Sequence, residues 1–237
     1  MNELQQLRFY LTGEHPCGYL PRISRSICLD PEQEISPRIL SLLSRQGFRR
    51  SGGLLYRPHC PSCNACVAVR VAVQRFRPSR SQQRIIRRGA KLQVSEHLPA
   101  SSDEYYRLYE RYIRGRHADG SMYPPSPEQF GDFLARPLPF TRFYEFRLDG
   151  RLLAVAVSDL LEDGLSAVYS FFEPDDRHFS LGRYMVLWQI RHAQQRKLPY
   201  LYLGYWIGES RKMNYKMDYR PLEGFLDDRW QAMPDEA

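Results

Sequence analysis

Between residues 140 and 205 the order of elements leaves little choice of fold. Phe140 to Leu148 is aromatic and alternates in strand fashion. Asp149-Gly150 then marks a tight hairpin, because both central positions of such a turn need positive φ. Leu152 to Val157 reads as a buried strand, Glu162-Asp163-Gly164 turns the chain again, and Leu165 to Phe172 is a third strand. A long helix follows, with Ser180 as its expected cap and Leu181, Tyr184, Met185, Leu187, Trp188 and Ile190 along it. Pro199 to Tyr205 is a further strand. Strands joined by hairpins are antiparallel, whereas strands joined through a helix are parallel, so this segment predicts a meander with one parallel neighbour.

Upstream signals are local. Ser36-Pro37 sets a capping hydroxyl before a proline at the first helical position. Ile39, Leu40, Leu42 and Leu43 give that helix an apolar face, and Gly47 ends it. Leu54 to Arg57 is a short strand. Val67, Val69, Val71 and Val73 alternate with Ala68, Arg70 and Ala72, which predicts a strand with Arg70 on its open face. Ser81 to Arg88 predicts a short, very basic helix. Ser101 or Ser102 caps a helix on which Tyr105, Leu108, Tyr109, Tyr112 and Ile113 share one side, a spacing that favours core over a stacking platform. Ser126-Pro127 starts another helix through Phe130, Phe133 and Leu134. The chain divides near residue 100, into 1–100 and 101–237, and only the tail after Met233 is expected to be disordered.

Charge separates the two parts. Ile35 to Ser95 holds thirteen Lys and Arg and no Asp or Glu, leaving 21 basic against all 27 acidic residues elsewhere. A field so concentrated attracts a polyanion, with nucleic acid ahead of a solvated face or a membrane-surface patch. No run approaches the roughly 18 apolar residues of a membrane helix, and Met1 to Tyr10 has no secretory pattern, so a cytoplasmic protein without membrane contact is expected.

A meander followed by a crossover is the layout of the acyl-CoA N-acyltransferase fold. The expected class is therefore α+β: a C-terminal acyl-CoA N-acyltransferase-like (GNAT-like) mixed sheet with flanking helices, preceded by a smaller basic, cysteine-containing N-terminal region. In that fold two parallel strands splay apart, and the acyl carrier's phosphates meet backbone N–H groups at the start of the crossover helix. Here that start reads Arg177-His178-Phe179-Ser180-Leu181-Gly182. Ser180 stands where the loop usually has glycine, and only Gly182 fits, which points to a carrier other than coenzyme A.

Longer motifs carry a resemblance. Gly47-Phe48-Arg49-Arg50-Ser51-Gly52, Tyr56-Arg57-Pro58, the cysteine cluster, and Phe76-Arg77-Pro78-Ser79-Arg80-Ser81-Gln82-Gln83-Arg84 resemble the arginyl-tRNA–protein transferases. So do Val168-Tyr169-Ser170-Phe171-Phe172-Glu173-Pro174, Tyr202-Leu203-Gly204-Tyr205-Trp206-Ile207 and Lys212-Met213-Asn214-Tyr215-Lys216. Cys60-x-x-Cys63-x-x-Cys66 and His117 to Pro125 are similar to the bacterial branch of that family. The resemblance implies transfer of leucine from leucyl-tRNA to proteins beginning with Asp or Glu, with an N-degron adaptor and protease acting on the product.

The chemistry implied is aminolysis of an ester. An α-amine has a reference pKa of about 7.7–8.0, so no strong base is needed, and no cofactor is required. Candidate proton acceptors at strand ends are Asp159, Tyr169, Glu173 and Glu209, with His117 and Asp119 as a further pair. The acceptor's carboxylate calls for Arg or Lys. Arg142, Arg183, Arg211, Lys212 and Lys216 are candidates, with Ser180 and Gly182 at the helix start. Arg77, Arg80, Arg84, Arg87 and Arg88 are expected along the tRNA acceptor end, mostly on phosphate. Cys60, Cys63 and Cys66 have the spacing of zinc or iron–sulfur ligands, with Cys17 as the fourth. The alternatives, reduced structural thiols here and an acetyl-CoA-dependent N-acetyltransferase or a cysteine-knuckle RNA-binding protein for the whole, stay open.

Overall fold

The computed structural model describes residues 7–234. The expected disordered tail after Met233 lies outside them except for Pro234. Strands and helices follow in the order β1 (Phe9–Leu11), β2 (His15–Pro16), β3 (Ile23–Ser24), β4 (Ser26–Leu29), α1 (Pro37–Arg45), β5 (Arg49–Ser51), β6 (Leu54–Pro58), β7 (Val67–Ala72), α2 (Arg80–Gly89) and β8 (Gln93–His97). Then come α3 (Asp103–Arg116), α4 (Pro127–Phe133), β9 (Thr141–Leu148), β10 (Arg151–Leu161), β11 (Gly164–Phe172), α5 (Leu181–Gln195), β12 (Tyr200–Trp206), a 3-10 stretch (Arg211–Asp218), β13 (Leu222–Leu226) and β14 (Arg229–Ala232).

An eight-stranded mixed sheet runs β14-β13-β7-β12-β11-β10-β9-β8. The meander β9-β10-β11 is antiparallel, and β11 pairs in parallel with β12 across α5, as the element order predicts. Strands from either side of residue 100 share this sheet, because β7 lies against β12 and β8 against β9. A smaller sheet, β1-β4-β6-β5, stands beside it. A satellite core of Leu29, Leu40, Leu43, Leu55, Phe140, Leu161 and Tyr202 joins the two.

Capping follows the residues. Ser36 Oγ accepts from Ile39 N, and Ser102 and Ser126 cap α3 and α4 in the same way. Ser79 with Gln82 forms a reciprocal capping box at α2, which satisfies two donors that the first helical turn leaves free. The tyrosine stripe of α3 is core: Tyr105, Leu108, Tyr109, Tyr112 and Ile113 are all buried.

Two local expectations are corrected. Ser180 does not cap α5 through its hydroxyl; it sits in the left-handed region (φ 51°, ψ 50°), and its carbonyl accepts from Arg183 and Tyr184 N–H. The serine therefore takes the backbone shape that favours glycine at the position where the usual loop carries one. Arg70 is not on an open face. Its guanidinium lies between the rings of Tyr200 and Trp230 and pairs with Glu223 at 2.9 Å, buried under β13 and β14. Cation–π contact and one carboxylate replace the water that the alternating pattern predicts there.

Candidate active site

The parallel pairing of β11 and β12 is short. It joins Gly164–Ser166 to Tyr200–Tyr202 and stops. Gly164 makes the close end possible, since a Cβ there would lie 2.4 Å from the Tyr200 carbonyl oxygen. Beyond it, β12 breaks register with β7 at Gly204, whose φ is +72°. The two strands part beyond this pairing, and the gap between them is the candidate site.

Arg49 enters that gap from β5. Its Nη2 donates to the Val168 carbonyl on β11 at 2.8 Å, and its Nε lies 3.0 Å from where a Cβ on Gly204 would be. The neighbouring Arg50 points to the opposite face of β5, as strand alternation requires. There it is buried and bonds both oxygens of Asp159 at 2.6 and 2.8 Å. Lys216, on the 3-10 stretch, donates from Nζ to the Tyr205 carbonyl and is 5 % exposed. Burial, reinforced by the nearby Arg49 charge, pushes its ammonium down to about 7. Burial also raises the phenols of Tyr169 and Tyr205, so each holds its proton.

A second, more open feature lies at the start of α5. Ser81, Arg84, Ile85, Arg87 and Arg88 of α2 face Ser180 and Arg183 across a cavity of about 640 Å³. The 3-10 stretch connects it to the gap: Gln82 Nε2 donates to the Asp218 carbonyl at 2.8 Å, and Arg183 pairs with Asp218 at 3.4 Å.

Other expected residues are placed as follows. Arg77 precedes α2, donating to the Gln74 and Phe76 carbonyls, and Arg80 is exposed on its first turn. Asp159 is fully buried and taken up by Arg50 and Thr141. Glu173 is buried and accepts from Arg111 and Arg151. Tyr169 packs edge-on against Tyr112 and Phe133. Arg142 pairs with Glu96 on the β8–β9 edge, away from the gap. Gly182 lies beside the Phe172 ring, and Arg211 is exposed at the start of the 3-10 stretch. His117 and Asp119 do not pair with each other. His117 Nε2 meets Tyr112 Oη at 2.9 Å, while Asp119 holds Lys212 at 2.6 Å. Burial and then Lys212 lower the His117 pKa against the pull of Asp119.

All five cysteines are free thiols. Cys63 Sγ accepts from Arg22, which also pairs with Glu209 at 2.9 Å, and Cys60 lies against Ser24 and Arg25. Burial pushes the Cys66 thiol up to about 11, with Cys17, Cys60 and Cys63 adding to it. The four are near one another. Yet among the described residues no three His, Cys, Asp or Glu side chains gather in a way that could hold a metal ion. As they stand the residues do not fit a bound zinc or cluster.

Arg49 is the site residue that sequence reasoning missed. Its signal was the doublet Arg49-Arg50 in a short strand, where alternation must send the two cations to different environments.

Comparison with known proteins gives a consistent result. The family description "Arginine-tRNA-protein transferase, N terminus" matches residues 15–84, and its C-terminal counterpart matches residues 104–226. The chain is 57% identical over 234 residues to an aspartate/glutamate leucyltransferase of Pseudomonas fluorescens, covering 98% of this chain and 100% of that one. A protein of the same name from Pseudomonas paraeruginosa is 55% identical over the same coverage. Among solved structures, L-PGS from Bacillus licheniformis shares the fold, with a TM-score of 0.50 at 11% identity over 73% of this chain and 61% of that one.

Proposed function

Because the chain belongs to the arginine-tRNA-protein transferase family, we propose that it moves leucine from leucyl-tRNA onto the α-amine of proteins beginning with aspartate or glutamate. It is an aminoacyltransferase, and its product enters the N-degron pathway through a downstream adaptor and protease. One observation carries the reading of the site: the arginines of α2 and the start of α5 line a single cavity beside the gap between β11 and β12. A tRNA end held by Arg84, Arg87, Arg88 and Arg183 through its phosphates would bring the esterified leucine to that gap.

In the reaction the lone pair of the α-amine forms the new C–N bond at the ester carbonyl. The C–O bond to the terminal ribose breaks, and the ribose hydroxyl leaves with a proton that the amine gives up. Positioning supplies much of the acceleration, since an α-amine is partly neutral near pH 7. Asp159 and Glu173 are committed to arginines. Glu209 is paired with Arg22, which leaves His117, held against Tyr112 and with its pKa lowered by burial, as the proton acceptor we favour. Tyr169, protonated throughout, is a donor toward the developing oxyanion.

Among the described residues no helix is long and apolar enough to cross a membrane. Zinc or an iron–sulfur cluster on Cys17, Cys60, Cys63 and Cys66 is a separate question, answered by the iron and zinc content of anaerobically purified protein. The test of the function is direct: radiolabelled leucyl-tRNA is mixed with the protein and a peptide beginning with Asp or Glu. Label on the peptide is the expected result. Acyl transfer from acetyl-CoA with none from leucyl-tRNA overturns the reading.

A further inference from the structure

Arg49 and Lys216 bring two cations to the gap between β11 and β12, and among the described residues no carboxylate pairs with either. Arg49 is pinned to β11 through the Val168 carbonyl and rests on the backbone of Gly204. Lys216 is pinned to the next residue of β12 through the Tyr205 carbonyl. Each diverging strand thus fixes one cation with a main-chain acceptor. Each cation keeps further N–H donors, because an ammonium has three and a guanidinium five.

The chain's own carboxylates are spent elsewhere. Asp119 holds Lys212, Glu209 holds Arg22, Asp218 holds Arg183, Asp159 holds Arg50, and Glu173 holds Arg111 and Arg151. Among the described residues none pairs with Arg49 or Lys216. Lys216 is buried and Arg49 half-buried, and holding two like charges this close and this far from water without a counter-ion is costly. Burial and the Arg49 charge have already weakened the hold of Lys216 on its proton, which is the physical sign of that cost. The cations are not sealed in. The Tyr215 ring lies 6.0 Å from Lys216 Nζ and is 40 % exposed, so it marks the edge where the gap meets solvent.

We propose that Arg49 and Lys216 together form the subsite for the acceptor's first side chain, gripping its carboxylate from both strands of the gap. This deepens, and rests on, the leucine-transfer reading above. A carboxylate there supplies the counter-charge that the fold withholds. It also fixes the adjoining α-amine at the mouth of the gap, on the side facing the cavity at α2. Discrimination follows from the same arrangement. An amide in place of the carboxylate would leave the buried Lys216 and the half-buried Arg49 without a counter-charge, so Asn and Gln are rejected through the cost of the empty charge rather than by shape.

The test compares leucine transfer to peptides that differ only in beginning with Asp or Asn, using the wild type, K216M, K216R and R49Q. K216M and R49Q are expected to raise the acceptor KM for the Asp peptide at least about tenfold, as loss of a charge-assisted hydrogen bond should. The Asp-to-Asn preference should fall by a similar factor, with leucyl-tRNA affinity in filter binding unchanged. K216R keeps the charge and should keep most of the preference. An unchanged Asp-to-Asn ratio in K216M and R49Q, or a loss confined to tRNA affinity, overturns the subsite. Carbon-13-labelled lysine in the wild type provides a measurement that needs neither turnover nor a destabilising variant. The Lys216 Cε signal, assigned by its absence from K216R, should move on addition of the Asp peptide and stay with the Asn peptide. No movement with the Asp peptide also overturns the proposal. A wild type that transfers leucine to neither peptide defeats the functional reading instead, and the lysine signal then decides the subsite alone.

Discussion

Positive charge occupies two regions of this molecule under opposite conditions. On α2 the arginines stand in water: Arg80, Arg84, Arg87 and Arg88 are exposed, and the last three line an open cavity. In the gap between β11 and β12, Lys216 is almost wholly buried, and Arg49 is wedged between strands. Solvated cations act as a summed field that reaches about 8 Å at physiological salt and tolerates many arrangements of phosphate. Dehydrated ones act only at contact, and they demand a specific partner because water no longer screens them. Affinity for a long polyanion and choice of a single carboxylate thus call for the same residue types at different depths.

Arg50 is the control for the buried region, a cation whose carboxylate lies within the chain. Asp159→Ala would strip it of both oxygens and leave the guanidinium uncompensated. The expected loss of stability is about 3–5 kcal/mol by urea unfolding, the largest single effect here. A loss below 1 kcal/mol would mean that depth does not set the cost. On the exposed side, charge reversal at both Arg84 and Arg88 should weaken leucyl-tRNA binding about tenfold or more. It should also flatten the log affinity against log salt slope by about 2, with thermal stability unchanged. Equal slopes for wild type and the double variant would contradict the assignment.

Lys216 predicts an unusual sign. Its pKa falls from 10.5 to about 7 on folding, so between those values the unfolded chain binds a proton that the folded chain has released. Stability from this group therefore rises as pH increases from about 7 toward 10, and the full burden is carried below 7. Lys216→Met removes that burden and is expected to stabilise the protein at pH 6 by something on the order of 1 kcal/mol. The advantage should shrink as pH approaches 10 in a series of unfolding curves. A destabilised K216M at pH 6 would show that the lysine is held for structure. The smallest effect concerns salt. Raising ionic strength from about 50 to 200 mM should change the acceptor KM much less than the tRNA affinity, since the gap excludes the ions that screen α2.

Much of the fold was legible because its signals are local. Asp149-Gly150 turns the chain with φ of 49° and 82°, Ser36, Ser102 and Ser126 cap helices, and the alternation in β9 to β11 sets their faces. What escaped depends on residues distant in sequence. Arg70 looks solvent-facing until β13 and β14 return more than 150 positions later to cover it with Glu223 and Trp230. Ser180 has the composition of a cap, but it sits in the left-handed region with no side-chain cap bond, which no propensity announces. The basic helix was plain from charge alone. Arg49 was hidden within that same charge, because only the register of β5 beside the gap separates it from Arg50. Lys216 was one of five equivalent cations until burial distinguished it.

The 3-10 stretch Arg211–Asp218 is eight residues long and anchored along its length: Lys212 to Asp119, Lys216 to Tyr205, Asp218 to α2 and α5. Under the proposed binding of tRNA at α2 and of the acceptor in the gap, it would set the distance between the two substrates. Adding or deleting one residue in it could not retune one partner without displacing the other. New specificities can therefore come from exchanging side chains along this strut, but hardly from changing its length.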